Sequence, residues 1–174
     1  MRHRFALALG AALVLGAPGP ALAQSQQAQQ VAMPNAEKIV LLVRNSLVTL
    51  NDALKTGNYT VLRDMAAPGF REANTAAKLS QIFSDLVAKN VDLSAVTVIT
   101  PQLTEAPGLD QAKGMLHLKG YFPGDPVQIN FELLYQAVNG QWRLFGISVQ
   151  PGAPEAGQKS SEASGSTSTS KKKK

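Results

Sequence analysis

The hydrophobic period of this chain changes once, near Asn90, and that change restricts the fold more than any other feature. Before it, apolar residues recur every three or four positions, the period of a helix with one buried face. Ile39, Leu42, Val43, Leu47, Leu50 and Leu54 form one such stripe. Asn35 stands where it can cap the helix start, Glu37 suits the first turn, and Gly57 ends the pattern. Leu41 and Val48 fall on the other side, which implies burial on two sides or contact with another subunit. Asn58 caps a short second helix through Ala66, packed by Leu62 and Met65 and stopped by Pro68-Gly69. Asn74 or Thr75 starts a third helix that Asn90 stops. On it Ala76, Leu79, Ile82, Phe83, Leu86 and Val87 share one face, while Lys78, Gln81, Asp85 and Lys89 lie away from it.

After Asn90 apolar and polar residues alternate, as in strands with one wet face. The alternation predicts four strands over 95–104, 111–122, 127–138 and 141–149. Turn-rich segments join them: 105–110, 123–126, and Asn139-Gly140, whose residues suit a tight hairpin because both central positions need positive φ. Connections this short make an antiparallel meander. In the third strand Val127, Ile129, Phe131, Leu133, Tyr135 and Ala137 point one way, and Gln128, Asn130, Glu132 and Gln136 the other. The expected fold is therefore α+β: three N-terminal helices packed on a curved, four-stranded antiparallel meander, in two layers.

The ends read differently. A basic Met1-Arg-His-Arg4, an apolar run from Phe5 to Ala17, the breaker Pro18-Gly-Pro20 and the small-x-small Ala21-Leu-Ala23 are the three parts of a secretory signal peptide over 1–23. The apolar run is too short to span a bilayer, and no later stretch is long enough. The expected location is periplasmic or secreted, after cleavage behind Ala23. Residues 24–34 read as a polar, flexible lead-in, 35–150 as the domain, and 151–174, rich in Gly, Ser and Lys, as a disordered tail.

Charge excludes one class of partner. Of the 17 basic residues, Arg2 and Arg4 lie in the leader, and Lys159 and Lys171 to Lys174 in the tail. Ten basic and ten acidic residues remain between 24 and 150. A neutral domain lacks the basic footprint of nucleic-acid binding. The chain has no cysteine, so disulfides, thiol catalysis and cysteine metal sites are excluded.

Three helices and then a curved meander, with Leu54-Lys-Thr-Gly-Asn-Tyr59 leading into the second helix and Asn139-Gly-Gln-Trp-Arg-Leu144 opening the last strand, resemble the nuclear transport factor 2-like superfamily. It is also called the cystatin-like or ketosteroid-isomerase-like cone. The resemblance covers about residues 35–150. It implies a pocket between sheet and helices and often dimerisation through the sheet. It implies no single activity, because the fold hosts isomerases, dehydratases, adaptors and secretion-system parts.

Enzymes of that superfamily carry a pocket Asp base with Tyr and carboxyl donors, or a His–Asp pair. The one histidine after the leader, His117, shares its strand face with Met115, Lys119 and Tyr121, while Leu116 and Leu118 take the core face. His117 is therefore expected to face water. Asp64, Asp85, Asp110 and Glu132 all fall at turn or outer positions. No catalytic residue, metal ligand or cofactor is nominated. The interior polar handles are Tyr135, Tyr59 and the Trp142 nitrogen, and the expected pocket lining is Tyr59, Phe83, Phe131, Tyr135 and Trp142.

These residues imply a non-enzymatic binding or interaction module with a small apolar ligand in the cone. One alternative is a structural component that dimerises through the outer sheet face. Met115, Tyr121, Leu134 and the apolar residues on both faces of the last strand (Trp142 and Leu144; Phe145, Ile147 and Val149) motivate it. The other is a small-molecule isomerase or dehydratase, which requires His117 inside. When the chain is expressed in a bacterium with its leader intact, the protein recovered from the periplasm should begin at Gln24 by intact-mass spectrometry. A mass that retains Met1 rules the leader out.

Overall fold

The longest helix, α1 (Ala36–Thr56), has both its ends written in local chemistry. The Asn35 side chain accepts a hydrogen bond from the Lys38 amide at 2.9 Å, an N-cap worth about 1 kcal/mol. Gly57 adopts φ 71°, and its amide reaches the Ala53 carbonyl at 2.9 Å. The computed structural model describes residues 31–153. The leader, most of the lead-in and the tail from residue 154 lie outside them. Val43, Leu47, Leu50 and Leu54 are buried on α1 as the stripe requires, and Val48 packs partly against the core, but Leu41 is exposed.

Four short helices follow: α2 (Thr60–Met65), α3 (Pro68–Ala73), α4 (Ala76–Ile82) and α5 (Ser84–Ala88). The expected count of three is too low, for two reasons. Pro68 stands at the first position of α3, where the missing N–H costs nothing, so Pro68-Gly69 starts a helix rather than only ending one. The expected third helix is broken at Phe83, where the Ser84 hydroxyl donates to the Gln81 carbonyl at 2.8 Å in competition with the helical ladder. Leu79, Phe83 and Leu86 stay buried across the break, but Ile82 and Val87 turn out to water. Asn58 does not cap α2 from the N-cap position; Tyr59 occupies it, and the Asn58 side chain accepts from the Thr60 amide instead.

The sheet is antiparallel and open, in the order β1-β3-β4-β5, with β2 also paired to β3. Its strands are β1 (Gln102–Leu103), β2 (Gly108–Asp110), β3 (Met115–Phe122), β4 (Gln128–Val138) and β5 (Gln141–Gly152). The expected first strand is mostly absent. Ser94–Thr97 forms a 3-10 turn, because the Asp92 carboxylate takes both the Ser94 amide at 2.9 Å and its hydroxyl at 2.6 Å. Leu93 and Val96, three apart, are buried there, which is the 3-10 spacing rather than that of a strand. The expected turn at 105–110 contains β2, and the chain reverses at 111–114 through Gly114 at φ 59°. The Asn139-Gly140 hairpin forms with φ 51° and 74°, joining Val138 to Gln141. The last strand runs past its expected end at 149, with Pro151 paired to Ile129 and Gly152 to Gln128.

One irregularity decides the faces of β5. Leu134 pairs with Gly146, but Tyr135 pairs with Leu144, so Phe145 is an extra residue in a β-bulge. The bulge resets the alternation. Trp142 and Leu144 below it, and Ile147 and Val149 above it, all pack into the same core. The apparent two-sidedness of the strand is therefore corrected: four of its five apolar residues belong to one layer, and Phe145 closes on Gly69 of α3. No helix among the described residues is long and apolar enough to cross a membrane.

The inward set Leu116, Leu118 and Phe122 of β3 meets Phe131, Leu133 and Tyr135 of β4 under α1, α2 and α4. Gly120 completes this face because nothing larger fits. A Cβ there would collide with the Gln102 carbonyl oxygen of β1 and stand 2.9 Å from the Phe131 ring. Gly120→Ala should therefore destabilise the domain by about 2 kcal/mol or more, read as a lower urea midpoint. An unchanged midpoint would show that β1 does not press on β3.

Candidate functional site

A cavity of about 320 Å³ lies where the 89–99 segment crosses the β3–β4 hairpin. Leu93, Val96, Ile99, Phe122, Ile129 and Pro151 form its apolar wall. The size falls at the low end of small-molecule sites. The position of this wall is set from α1. The buried Asn51 side chain accepts from the Leu93 amide at 2.9 Å and donates to the Ser94 hydroxyl. One helix turn on, Lys55 reaches Ser94 at 2.7 Å and Asp92 at 3.1 Å. A segment with little regular structure is thus held by side chains of a rigid helix.

Charge at this cavity is confined to its rim, at Lys89 and Asp92. Hydrogen bonds from the Ser94 hydroxyl and amide, with the Lys55 ammonium, lower the Asp92 pKa to about 2. Asp92 is ionised and fully engaged near neutral pH. Asn90 is the one other polar side chain of the lining, so most of the affinity here must come from apolar area.

The sequence reading misses this cavity because it places residues 95–99 in a strand. The signal was present in the threefold spacing of Leu93, Val96 and Ile99 behind Asp92-Leu-Ser94, whose side chains favour a turn.

The five aromatic residues expected to line a pocket are placed elsewhere, in separate groups. Tyr59 and Phe83 stack with ring centroids 6.0 Å apart and 4° between planes, both inside the core. Phe131 packs against Phe122 at 5.7 Å. Tyr135 and Trp142 do come together, at a second cavity of about 110 Å³ between α1, α2 and the start of β5. The Tyr135 hydroxyl is 2.8 Å from the Leu42 carbonyl and 2.9 Å from the Ser46 hydroxyl, and burial pushes its pKa up. Burial also raises the Tyr59 pKa, and its hydroxyl has no hydrogen-bond partner among the described residues.

His117 lies on the outer face of the sheet, with its side chain 36% exposed and its Nε2 2.9 Å from Glu132. Leu116 and Leu118 beside it are fully buried. With Met115, Asp110 and Leu134 it borders a shallow depression. Among the described residues no buried carboxylate or histidine exists; the buried polar side chains other than tyrosines are Ser46, Asn51 and Gln128. No group of three or more His, Asp and Glu side chains there is placed to share a metal ion.

No family model, curated protein or solved structure matches the chain. The fold and cavities therefore define only a class, an α+β domain with an open antiparallel sheet covered by helices.

The two buried phenols give opposite expectations. Tyr135→Phe removes a satisfied tip and strands Ser46, and should cost about 1–2 kcal/mol in urea unfolding. Tyr59→Phe removes an unpaired buried hydroxyl and should leave stability equal or raise it by about 1 kcal/mol. Both phenols ionise more easily unfolded than folded, so wild-type stability should fall as the pH rises past the ordinary phenol value of about 10. A Tyr59→Phe variant as damaged as Tyr135→Phe contradicts this assignment.

Proposed function

We propose that this chain is an exported, non-enzymatic binding module that holds a small apolar ligand between the 89–99 segment and the β3–β4 hairpin. The observation that carries the reading is the apolar wall of the 320 Å³ cavity, built from Leu93, Val96, Ile99, Phe122 and Ile129. The surrounding residues supply no shielded proton-transfer group of the kind general acid–base catalysis uses. Export is supported by the three-part leader over 1–23. Membership of the nuclear transport factor 2-like cones is part of the proposal, supported by helices that precede an antiparallel meander and by Trp142 opening its last strand.

The test uses medium-chain fatty acids and alcohols, alkylbenzenes and a steroid in thermal-shift and calorimetric titrations. At least one class should raise the Tm and bind with negative heat-capacity change. Val127 lines the cavity and is 49% exposed, so Val127→Glu should fold normally while weakening that binding by about tenfold. A flat response across all the probes overturns the reading.

A further inference from the structure

The cavity between the 89–99 segment and the β3–β4 hairpin is graded from one end to the other. Leu93, Val96 and Phe122 form a buried end, whereas Val127, Lys89, Asn90 and Asp92 are exposed. All three polar side chains of the lining thus stand at the open end. Such a wall suits an occupant with an apolar tail and one polar head. The tail leaves water against the buried end, and the head keeps its hydration at the mouth.

The mouth also fixes the sign of that head. The Asp92 carboxylate is taken up by the Ser94 hydroxyl at 2.6 Å and the Lys55 ammonium at 3.1 Å. Lys89 makes no ion pair among the described residues; those formed there involve Lys55, Arg63, Lys113 and His117. From Asp85, one helical turn back, it takes only a backbone bond, its amide donating to the Asp85 carbonyl at 3.1 Å. Lys55 and Lys89 against Asp92 leave one positive charge uncompensated at the rim. The backbone donors are engaged as well. The Asn90 and Val91 amides donate to the Val87 and Leu86 carbonyls at 2.9 and 3.0 Å, and the Leu93 amide donates to Asn51. A head at the mouth therefore meets the Lys89 ammonium, on a flexible stem that lets it follow the ligand.

We infer that this cavity takes a single-chain anionic amphiphile, a carboxylate of about ten carbons, with its chain along Leu93, Val96 and Phe122 and its head at the Lys89 ammonium. The inference rests on the reading of this cavity as an apolar-ligand site, and it adds the head and its charge. Chain length follows from volume. A cavity of roughly 150 Å³ holds the carbons of benzene, so one of about 320 Å³ accommodates about twice as many heavy atoms. An ammonium is a point charge without the guanidinium fork, so it selects the sign of a head rather than its geometry. An alkyl sulfate of equal length should bind like the carboxylate.

Full-length protein is titrated by calorimetry with decanoate, 1-decanol and decylamine at low salt and about pH 8, where acid and amine are both ionised. Each probe is kept below its micelle or solubility limit. Decanoate should bind about threefold tighter than decanol, and decylamine should bind more weakly than either. The ratio of decanoate to decanol affinity should fall towards one in about 0.5 M sodium chloride. Lys89→Gln should abolish that ratio, and Lys89→Glu should invert the order so that decylamine binds tighter than decanoate. Lys89 is exposed, so neither substitution disturbs the core. Lys38→Gln, at the exposed start of α1 and outside the cavity lining, should keep the wild-type ratio. Val127→Glu should weaken decanol, which locates the chain in this cavity. Equal affinities for the three probes in wild type, or a ratio that survives Lys89→Gln, overturn the inference and leave the apolar site standing. Absence of binding by all three, or decanol binding untouched by Val127→Glu, overturns the site and the inference with it.

Discussion

A single extra residue, Phe145 in the bulge of β5, determines how the last strand meets the core. Without it, a regular strand could direct only one of two apolar sets inward. Trp142 and Leu144 would then oppose Ile147 and Val149, and one pair would point to water. Each large side chain left exposed forfeits about 1.5–3 kcal/mol of burial. The bulge lets both pairs enter the core. It also serves both cavities, since Pro151 above it walls the larger and Trp142 below it borders the smaller. A slip in that register would dismantle both sites at once.

Helix α1 is the second element on which both cavities hang. Near its start, the Leu42 carbonyl and the Ser46 hydroxyl seize Tyr135 of β4. Further on, Asn51 and Lys55 seize residues 92–94. The Arg44 guanidinium adds a bond to the Ile99 carbonyl at 3.0 Å. Polar residues on the buried flank of an amphipathic helix are normally a cost. Here each has a partner far away in the chain, so they fix which parts of the chain lie against the helix.

What could be read from the sequence is what local chemistry decides. Asn35, Gly57 and Asn139-Gly140 each specify a cap or turn with neighbours a few residues distant, and each sits where expected. The outward placing of His117 followed from Leu116 and Leu118, because β3 has no bulge to disturb its alternation. The same parity argument misled in β5, where one inserted residue exchanged the faces. It misled again at 95–104, where Asp92 and Ser94 diverted the backbone into a 3-10 turn through contacts that a two-residue period does not register. For the pocket, the sequence showed which rings are large and apolar. It did not show that Tyr59 would spend its face on Phe83 while Trp142 would border open space, since that depends on helices far apart in the chain.

Satisfaction of polar tips separates core from site more sharply than residue type does. Tyr135, Tyr59 and Arg143 all bury a donor. Tyr135 has two partners and acts as a strut between α1 and β4. Tyr59 has none, but it borders neither cavity, so its unpaired hydroxyl is a cost accepted for the stacking of its ring. Arg143 Nε also has none, at a strand position between the core-facing Trp142 and Leu144. The apolar cavity shows the converse: its one acidic rim residue, Asp92, is fully occupied by Ser94 and Lys55. An occupant there gains chiefly from apolar area. A ligand with a carboxylate must therefore keep that group at the rim, since desolvating it against Leu93 and Ile129 costs more than contact with them returns.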